Sequence, residues 1–476
     1  MAGDWYLYEV FQAFLSAPAY HLLLEAFLVL WILRLILTKS YKPHKTRLGA
    51  KEKEELIAEW TPEPLVPDTP SDHYTLHPRV VDGKPGKTVT INGKKILNMG
   101  TLNFLNMIEN KAMEEAAITS LKTYGVGSCG PRGFYGTVDA HLQLEDKLAK
   151  FLGVEEAVLY SFGFSTISSA IPAYAKRGDV LFVDAGVSFA IQQGIAASRS
   201  HVRYFKHNDV DDLKRLLQLQ ADTDSKHPKR ARVIRKFVIV EGLYLNYGDI
   251  CPLPELVAIK QEYCVRLFVE ESLSFGVLGA SGKGVTEHFG ISVDEVDLIC
   301  GSLENALAAI GGFCCGKSYV IDHQRLSGLG YCFSASMPPM IASAAITSLE
   351  QLENNPDIFS ALVRNSRWLH EKISSIPGVE VGGDPISPVK HISLKDCGEN
   401  GEQETRMLEE IVQEAENQGV ALTVARYLHN EEAHPLRPSI RLAVSSSLTQ
   451  PDLTLALRVI SNACASVHRR DLDAVE

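Results

Sequence analysis

From about residue 110 the chain alternates short apolar runs with longer helical patterns, and that rhythm leaves few architectures open. The runs Ala157–Ser161, Val180–Val183, Phe237–Glu241, Val265–Glu270 and Leu298–Gly301 have the length of strands and little polar alternation. Helical stretches such as Asp211–Leu219 and Leu253–Glu262 separate them. Strands that are apolar on both faces belong in a mostly parallel sheet covered by helices on both sides. The expected class is therefore α/β, with a large domain over residues 73–337. Thr88–Leu97 alternates around Asn92-Gly93, a hairpin signal at the start of that domain. Pro338 and Pro339 mark a change to helix-rich sequence with few strands, read as a smaller α+β domain over 338–476. A chain of 476 residues has room for these parts, and it shows no internal repeat.

Ahead of the globular part, Ala19 to Thr38 forms an apolar run broken by Glu25 and Arg34. Roughly 20 helical residues cross the ~30 Å hydrocarbon core of a bilayer. No small-residue cleavage site follows, so residues 19–38 read as a retained transmembrane helix rather than a removed signal. Asp4 and Glu9 precede it, while Lys39, Lys42, Lys45 and Arg47 follow. The positive-inside rule then puts the N-terminus across the membrane and the main domain in the cytosol. Residues 1–18 contain an aromatic stretch with two acids, either an interfacial helix or a partner-binding face. Residues 39–72 combine a charged helical segment, Lys51–Trp60, with a linker holding four prolines between Thr61 and Pro70.

A formal charge of −11 argues against nucleic acid as a partner. The nine cysteines are scattered without a C-x-x-C pair, which fits reduced thiols facing the cytosol, and no metal site is expected.

Several motifs carry chemistry. Tyr124-Gly-Val-Gly-Ser-Cys-Gly-Pro-Arg-Gly-Phe-Tyr-Gly-Thr137 is a glycine-rich loop followed in register by His141 and Leu144-Glu145. Glycines let such a loop approach another chain or a ligand closely. Asp297-Leu-Ile-Cys-Gly-Ser-Leu-Glu-Asn-Ala-Leu-Ala-Ala-Ile-Gly-Gly312 reads as a buried strand, a tight turn and a glycine pair. Three more stretches are Asp184–Gly194, Glu241–Pro254 and Val269–Val285, and Pro438-Ser-Ile-Arg-Leu442 lies near the C-terminus.

Together these stretches closely resemble the motifs of the α-oxoamine synthase family of pyridoxal-phosphate enzymes, over roughly residues 75–470. The resemblance implies a fold-type I dimer that joins an amino acid to an acyl-CoA with loss of carbon dioxide. It also exposes departures. Asn305 stands where the family carries its imine-forming lysine, and an amide is not nucleophilic enough to replace that amine. Glu304 replaces the preceding hydroxyl residue and brings a carboxylate toward the cofactor's phosphate. Ser188 replaces the ring-stacking histidine, Leu273 a second histidine and Leu245 a serine. Glu270 takes the place of the aspartate that pairs with the pyridine nitrogen, and Arg441 keeps the type of a carboxylate-binding arginine. The resemblance therefore implies no catalytic residue and no cofactor on this chain. It implies a lysine-bearing paralogue as partner, holding the pyridoxal phosphate in a heterodimer at the endoplasmic reticulum membrane. Small activating subunits and Orm-type regulators are further partners implied in the same way. Gly127, Cys129, Gly130, Arg132 and Tyr135 are the residues expected to reach the partner's site, although Cys129 reads equally as a small buried residue. The rival expectations are a membrane scaffold that adds nothing to any active site, and an active transferase with unusual residues.

Overall fold

The computed structural model describes residues 18–38, 49–62, 64–66, 68–71, 73–395, 401–428 and 430–475, with isolated positions 8, 9, 12 and 16 before them. Residues 4–15 thus lie largely outside the described residues, as does Cys397. The chain divides into two compact units, Met1–Pro78 and Arg79–Glu476.

In the first unit, the helix Ala19–Leu37 matches the expected apolar run, and every side chain along it is at least partly exposed. Its mean hydropathy of 1.9 and its 19 residues make it long and apolar enough to cross a membrane. His21 and Glu25 face each other one turn apart at 3.5 Å, so the acid in this run has a local partner. A second helix, Ala50–Glu59, follows; its N-terminal Gly49 N–H donates to Glu52 Oε2 at 2.9 Å.

The second unit opens with three short strands, β1 (Val81–Asp82), β2 (Thr88–Ile91) and β3 (Lys94–Asn98). Asn92 and Gly93 both take positive φ, 52° and 76°, the turn that matches the twist of a two-residue hairpin. Seven strands then build the main sheet: β4 (Glu156–Tyr160), β5 (Val180–Asp184), β6 (His201–Phe205), β7 (Lys236–Glu241), β8 (Arg266–Glu270), β9 (Leu298–Ser302) and β10 (Gly312–Gly316). Their order is β4-β10-β9-β8-β7-β5-β6. The pairs from β6 through β9 are parallel, whereas β10 is antiparallel to both its neighbours. β5 is buried at all five positions, as a central strand packed on both faces must be.

The five expected strands are present as β4, β5, β7, β8 and β9, while β6 and β10 were not anticipated. β6 reads His-Val-Arg-Tyr-Phe because it is the sheet edge, where one face is wet. β10 reads Gly-Phe-Cys-Cys-Gly and lacks the β-branched residues that mark a strand.

The C-terminal part forms an antiparallel sheet of β11 (Val379–Gly382), β12 (Val389–Leu394), β14 (Thr423–Val424) and β15 (Ile440–Ala443), ordered β11-β12-β15-β14. Helices Asp357–Ile373, Gly401–Asn417 and Gln450–Val475 contribute to its core. The N-terminal hairpin, placed with the large domain from sequence, joins this region instead. β3 pairs in parallel with β13 (Val420–Ala421), and Leu97 and Met99 sit in the C-terminal apolar cluster. The hairpin's alternation gave its shape but not the strand 320 residues later that completes its sheet.

Candidate functional site

In an open parallel sheet, ligands bind beyond the carboxyl ends of the strands. Those ends here carry acids: Asp184 closes β5, Glu241 closes β7 and Glu270 closes β8, with Glu271 next to it. All four are buried. Glu241 accepts the backbone N–H of Ser188 at 2.5 Å and of Leu245 at 3.1 Å. Glu271 accepts the N–H of Val285 at 3.1 Å. Glu270 accepts the N–H of Ser272 at 3.1 Å and that residue's hydroxyl as well.

Burial pushes Glu270 up to about 8, and the neighbouring Glu241 carboxylate adds to the shift. Glu241 and Glu271 are each pushed up to about 7, again mainly by burial. A proton is thus held among these acids near neutral pH. Since the folded value of Glu270 lies above its ordinary 4.5, folding takes up a proton. Its stabilising contribution is complete below pH 4.5 and fades as pH rises through about 8. Glu270→Gln is expected to flatten the fall in unfolding midpoint across that window, which a pH series of thermal melts measures. A slope unchanged from the wild type would contradict this assignment.

Asn305 lies in a short helix, Glu304–Leu307, just after β9. Its amide Nδ2 donates to the Ser272 carbonyl at 2.9 Å, so the side chain is tied down beside the Glu270 turn. The Glu304 N–H donates to Ser302 Oγ at 3.0 Å. Its carboxylate meets the first turn of the helix Gly163–Tyr174: a Cβ on Gly163 would lie 3.3 Å from Glu304 Oε1 and 2.7 Å from Ser302 Oγ. Glycine is what allows this approach. The N-terminus of that helix has no side-chain cap, and its free N–H groups form a natural anion site. Glu304 already supplies a negative charge there. A second anion about 4 Å away would meet roughly 4 kcal/mol of repulsion at an effective dielectric of 20.

Ser188 stands at the N-cap position of the next helix, Phe189–Ser198, without a side-chain capping bond, and Leu273 is buried in the core. Leu245 offers its carbonyl to His391 Nε2 at 2.9 Å. His391 Nδ1 meets Ser439 Oγ at 2.8 Å, and burial holds the imidazole down near 4, so it is neutral with its proton on Nε2. Arg441 pairs with His391 across β15 and β12. Its buried Nε has no hydrogen-bond partner among the described residues, and burial lowers its pKa.

One cluster escaped sequence reasoning. His207 bridges Asp184 at 2.7 Å and Asp249 at 2.9 Å while stacking on Tyr247 with centroids 3.7 Å apart. Burial works against its charge, but the two carboxylates outweigh it and raise His207 to about 9. This imidazolium neutralises Asp184 from outside the strand ends. The signal available was a histidine and an asparagine placed before a helix, which is too common a pattern to single out.

The glycine-rich loop lies between helices Lys111–Tyr124 and Asp139–Leu152. Cys129 and Tyr135 adopt positive φ, 55° and 64°, a strained setting for residues with a side chain. Gly127, Cys129 and Tyr135 are exposed, and Gly130 is half-buried with its carbonyl accepting the Ser336 N–H at 3.0 Å. Cys129 is therefore an exposed thiol, not a small buried residue. The guanidinium of Arg132 turns inward. Nη1 and Nη2 hold Glu145 at 2.8 and 3.0 Å, Nε donates to Thr137 Oγ1 at 2.9 Å, and the side chain is 5% exposed. Glu145 in turn accepts the Leu159 N–H of β4 at 2.9 Å. A buried pair of this kind positions the loop and commits three of the guanidinium's five N–H donors inside the chain. Val126, Phe134 and Tyr135 are exposed on the loop, and Phe162, Phe164, Leu329 and Phe333 are exposed on segments 161–169 and 329–336, which bond to each other and, through Ser336, to Gly130.

The side chains present do not fit pyridoxal phosphate. Set against the family pattern the sequence resembles, the Asn305 amide replaces the imine-forming amine, the Glu304 carboxylate lies near the first turn at Gly163, and Leu273 and Ser188 replace the histidines.

The aminotransferase class I and II family model matches residues 94–460. The chain belongs to this family. Within it, the chain is 41% identical over 470 residues to serine palmitoyltransferase 1 of Dictyostelium discoideum, covering 97% of each chain. It is 39% identical to long chain base biosynthesis protein 1 of Arabidopsis thaliana, over 92% of this chain and 89% of that one. The solved structure of SPT with a PLP internal aldimine superposes with a TM-score of 0.72 at 26% identity, covering 82% of this chain and 93% of the other. The family's fold, a large α/β domain with mixed sheets, is the architecture described above.

Proposed function

We propose that this chain is a lysine-lacking, non-catalytic but required subunit of serine palmitoyltransferase, the enzyme that condenses L-serine with palmitoyl-CoA. The products are 3-oxosphinganine, CoA and carbon dioxide, at the entry to sphingolipid synthesis. The observation that carries the reading is the tethered Asn305 amide beside the Glu304 carboxylate, in a chain 41% identical to serine palmitoyltransferase 1 of Dictyostelium discoideum. The lysine-bearing partner, subunit 2 or 3, binds the pyridoxal phosphate and forms the heterodimer. The exposed apolar residues around the glycine-rich loop are the surface it covers, and Gly127, Cys129, Gly130, Arg132 and Tyr135 complete its site, Arg132 by holding the loop's root. Small activating subunits and Orm-type regulators join this complex. Arg441, with its unpartnered Nε, retains the type of a carboxylate-holding residue. The helix Ala19–Leu37 anchors the chain in the endoplasmic reticulum membrane, with the N-terminus lumenal and the main body cytosolic.

The inward turn of Arg132 favours a second reading, a membrane scaffold that leaves the active site untouched. The experiment that separates these is purification of the tagged full chain from membranes in mild detergent. The expected result is a lysine-bearing paralogue in near-equal amount, serine palmitoyltransferase activity in the pair, and a borohydride-trapped adduct on the paralogue alone. Recovery of a homodimer, or an adduct on this chain, would overturn the proposal.

A further inference from the structure

The chain is acidic overall, yet residues 226–236 hold six Lys and Arg residues, one His and no acid. This stretch closes one side of a cavity of about 360 Å³ far along the main sheet from the strand ends described above. The other side is the edge strand β6. His201 and Arg203 are two residues apart on it, so their side chains share one face. His227 and Arg230 face them from the basic stretch, and the apolar floor is Val180, Val202 and Ile234.

The acid in this lining is already neutralised. Asp224 accepts from Lys236 Nζ at 2.8 Å and from Gln220 Nε2 at 2.7 Å. Arg235, just beyond the cavity, is held by buried Asp179 at 2.9 Å. By contrast, neither Arg203 nor Arg230 has an ion-pair partner among the described residues. Two arginines and two histidines thus line one concavity of the size that takes a small organic ligand. A guanidinium presents a planar fork of donors that matches the oxygens of a phosphate.

We infer that this cavity is a binding site for a phosphate monoester, with Arg203 and Arg230 as the paired donors and His201 and His227 as supporting ones. The phosphate is carried either by a soluble metabolite or by a lipid headgroup; the chemistry of recognition is the same. The site is separate from the strand-end region and does not depend on the subunit assignment.

The test uses the full chain with its co-purified subunit in detergent. One arm titrates inorganic phosphate and glycerol phosphate by calorimetry. The other measures retention on micelles doped with phosphatidylinositol phosphate against micelles of phosphatidylcholine. Binding in the first arm assigns a soluble ligand, and binding confined to the second assigns a lipid headgroup. In either case R203Q/R230Q is expected to weaken binding about tenfold or more. K229Q/R232Q removes the same charge outside the cavity lining and is expected to leave binding nearly unchanged. If R203Q/R230Q lowers the unfolding midpoint, the charge-keeping R203K/R230K replaces it and is expected to lose the forked contact while keeping the fold. No binding in either arm would overturn the inference. So would binding that survives the cavity variants, or falls equally with K229Q/R232Q.

Discussion

Arg132→Met is expected to cost the fold about 3–5 kcal/mol, the largest stability loss among the substitutions considered, because it strands a carboxylate in the core. Glu145 is 8% exposed, and its charge is compensated by the two guanidinium nitrogens at 2.8 and 3.0 Å. Removing the arginine leaves that charge with the Leu159 N–H as its remaining recorded partner. The double variant Arg132→Met with Glu145→Gln is expected to recover much of the loss, since the glutamine carbonyl still accepts that N–H while no charge remains. Denaturant unfolding of the membrane-extracted chain measures both. Were the single variant as stable as the wild type, the pair would be ornamental and the loop's root would have to be held elsewhere.

Cys129→Val is expected to lower the activity of the assembled pair at least about tenfold while leaving assembly intact. The backbone at Cys129 has φ 55°, and a β-branched side chain resists that region at a cost of about 1–3 kcal/mol. The loop is exposed, so the strain is relieved by reshaping it rather than by unfolding the core. Cys129→Gly, which accepts the same φ freely, separates backbone shape from side-chain contact. Loss with valine alone points to shape, and loss with both points to the thiol. Full activity with both variants would favour the scaffold reading of this subunit.

Much of the architecture was legible because buried parallel strands advertise themselves. β5 is apolar at all but its last position and β8 across its middle three, and their predicted and observed limits differ by about one residue. β6 and β10 were opaque for opposite reasons: the first is wetted like a loop, and the second is built from glycine and cysteine. The strand-end region was legible where a residue type is chemically decisive, as at Asn305. It was illegible where partners come from distant segments. Nothing near Arg132 in sequence says that it will turn inward to Glu145 and Thr137. The Asp184–His207–Asp249 bridge is hidden for the same reason, being spread over 66 residues of chain and closed only by the sheet.

The position of Glu304 bears on how such a chain evolves. An asparagine codon is one nucleotide from a lysine codon, so the missing amine alone is a short mutational step away. That step leads nowhere useful while the carboxylate rests against the first turn at Gly163. A returning lysine would find an acid beside it in sequence, with that carboxylate close to the first turn of the helix Gly163–Tyr174. Restoring chemistry would need several coordinated replacements, none of them beneficial alone. Under the proposed subunit assignment, the carboxylate works as a ratchet against the lysine's return.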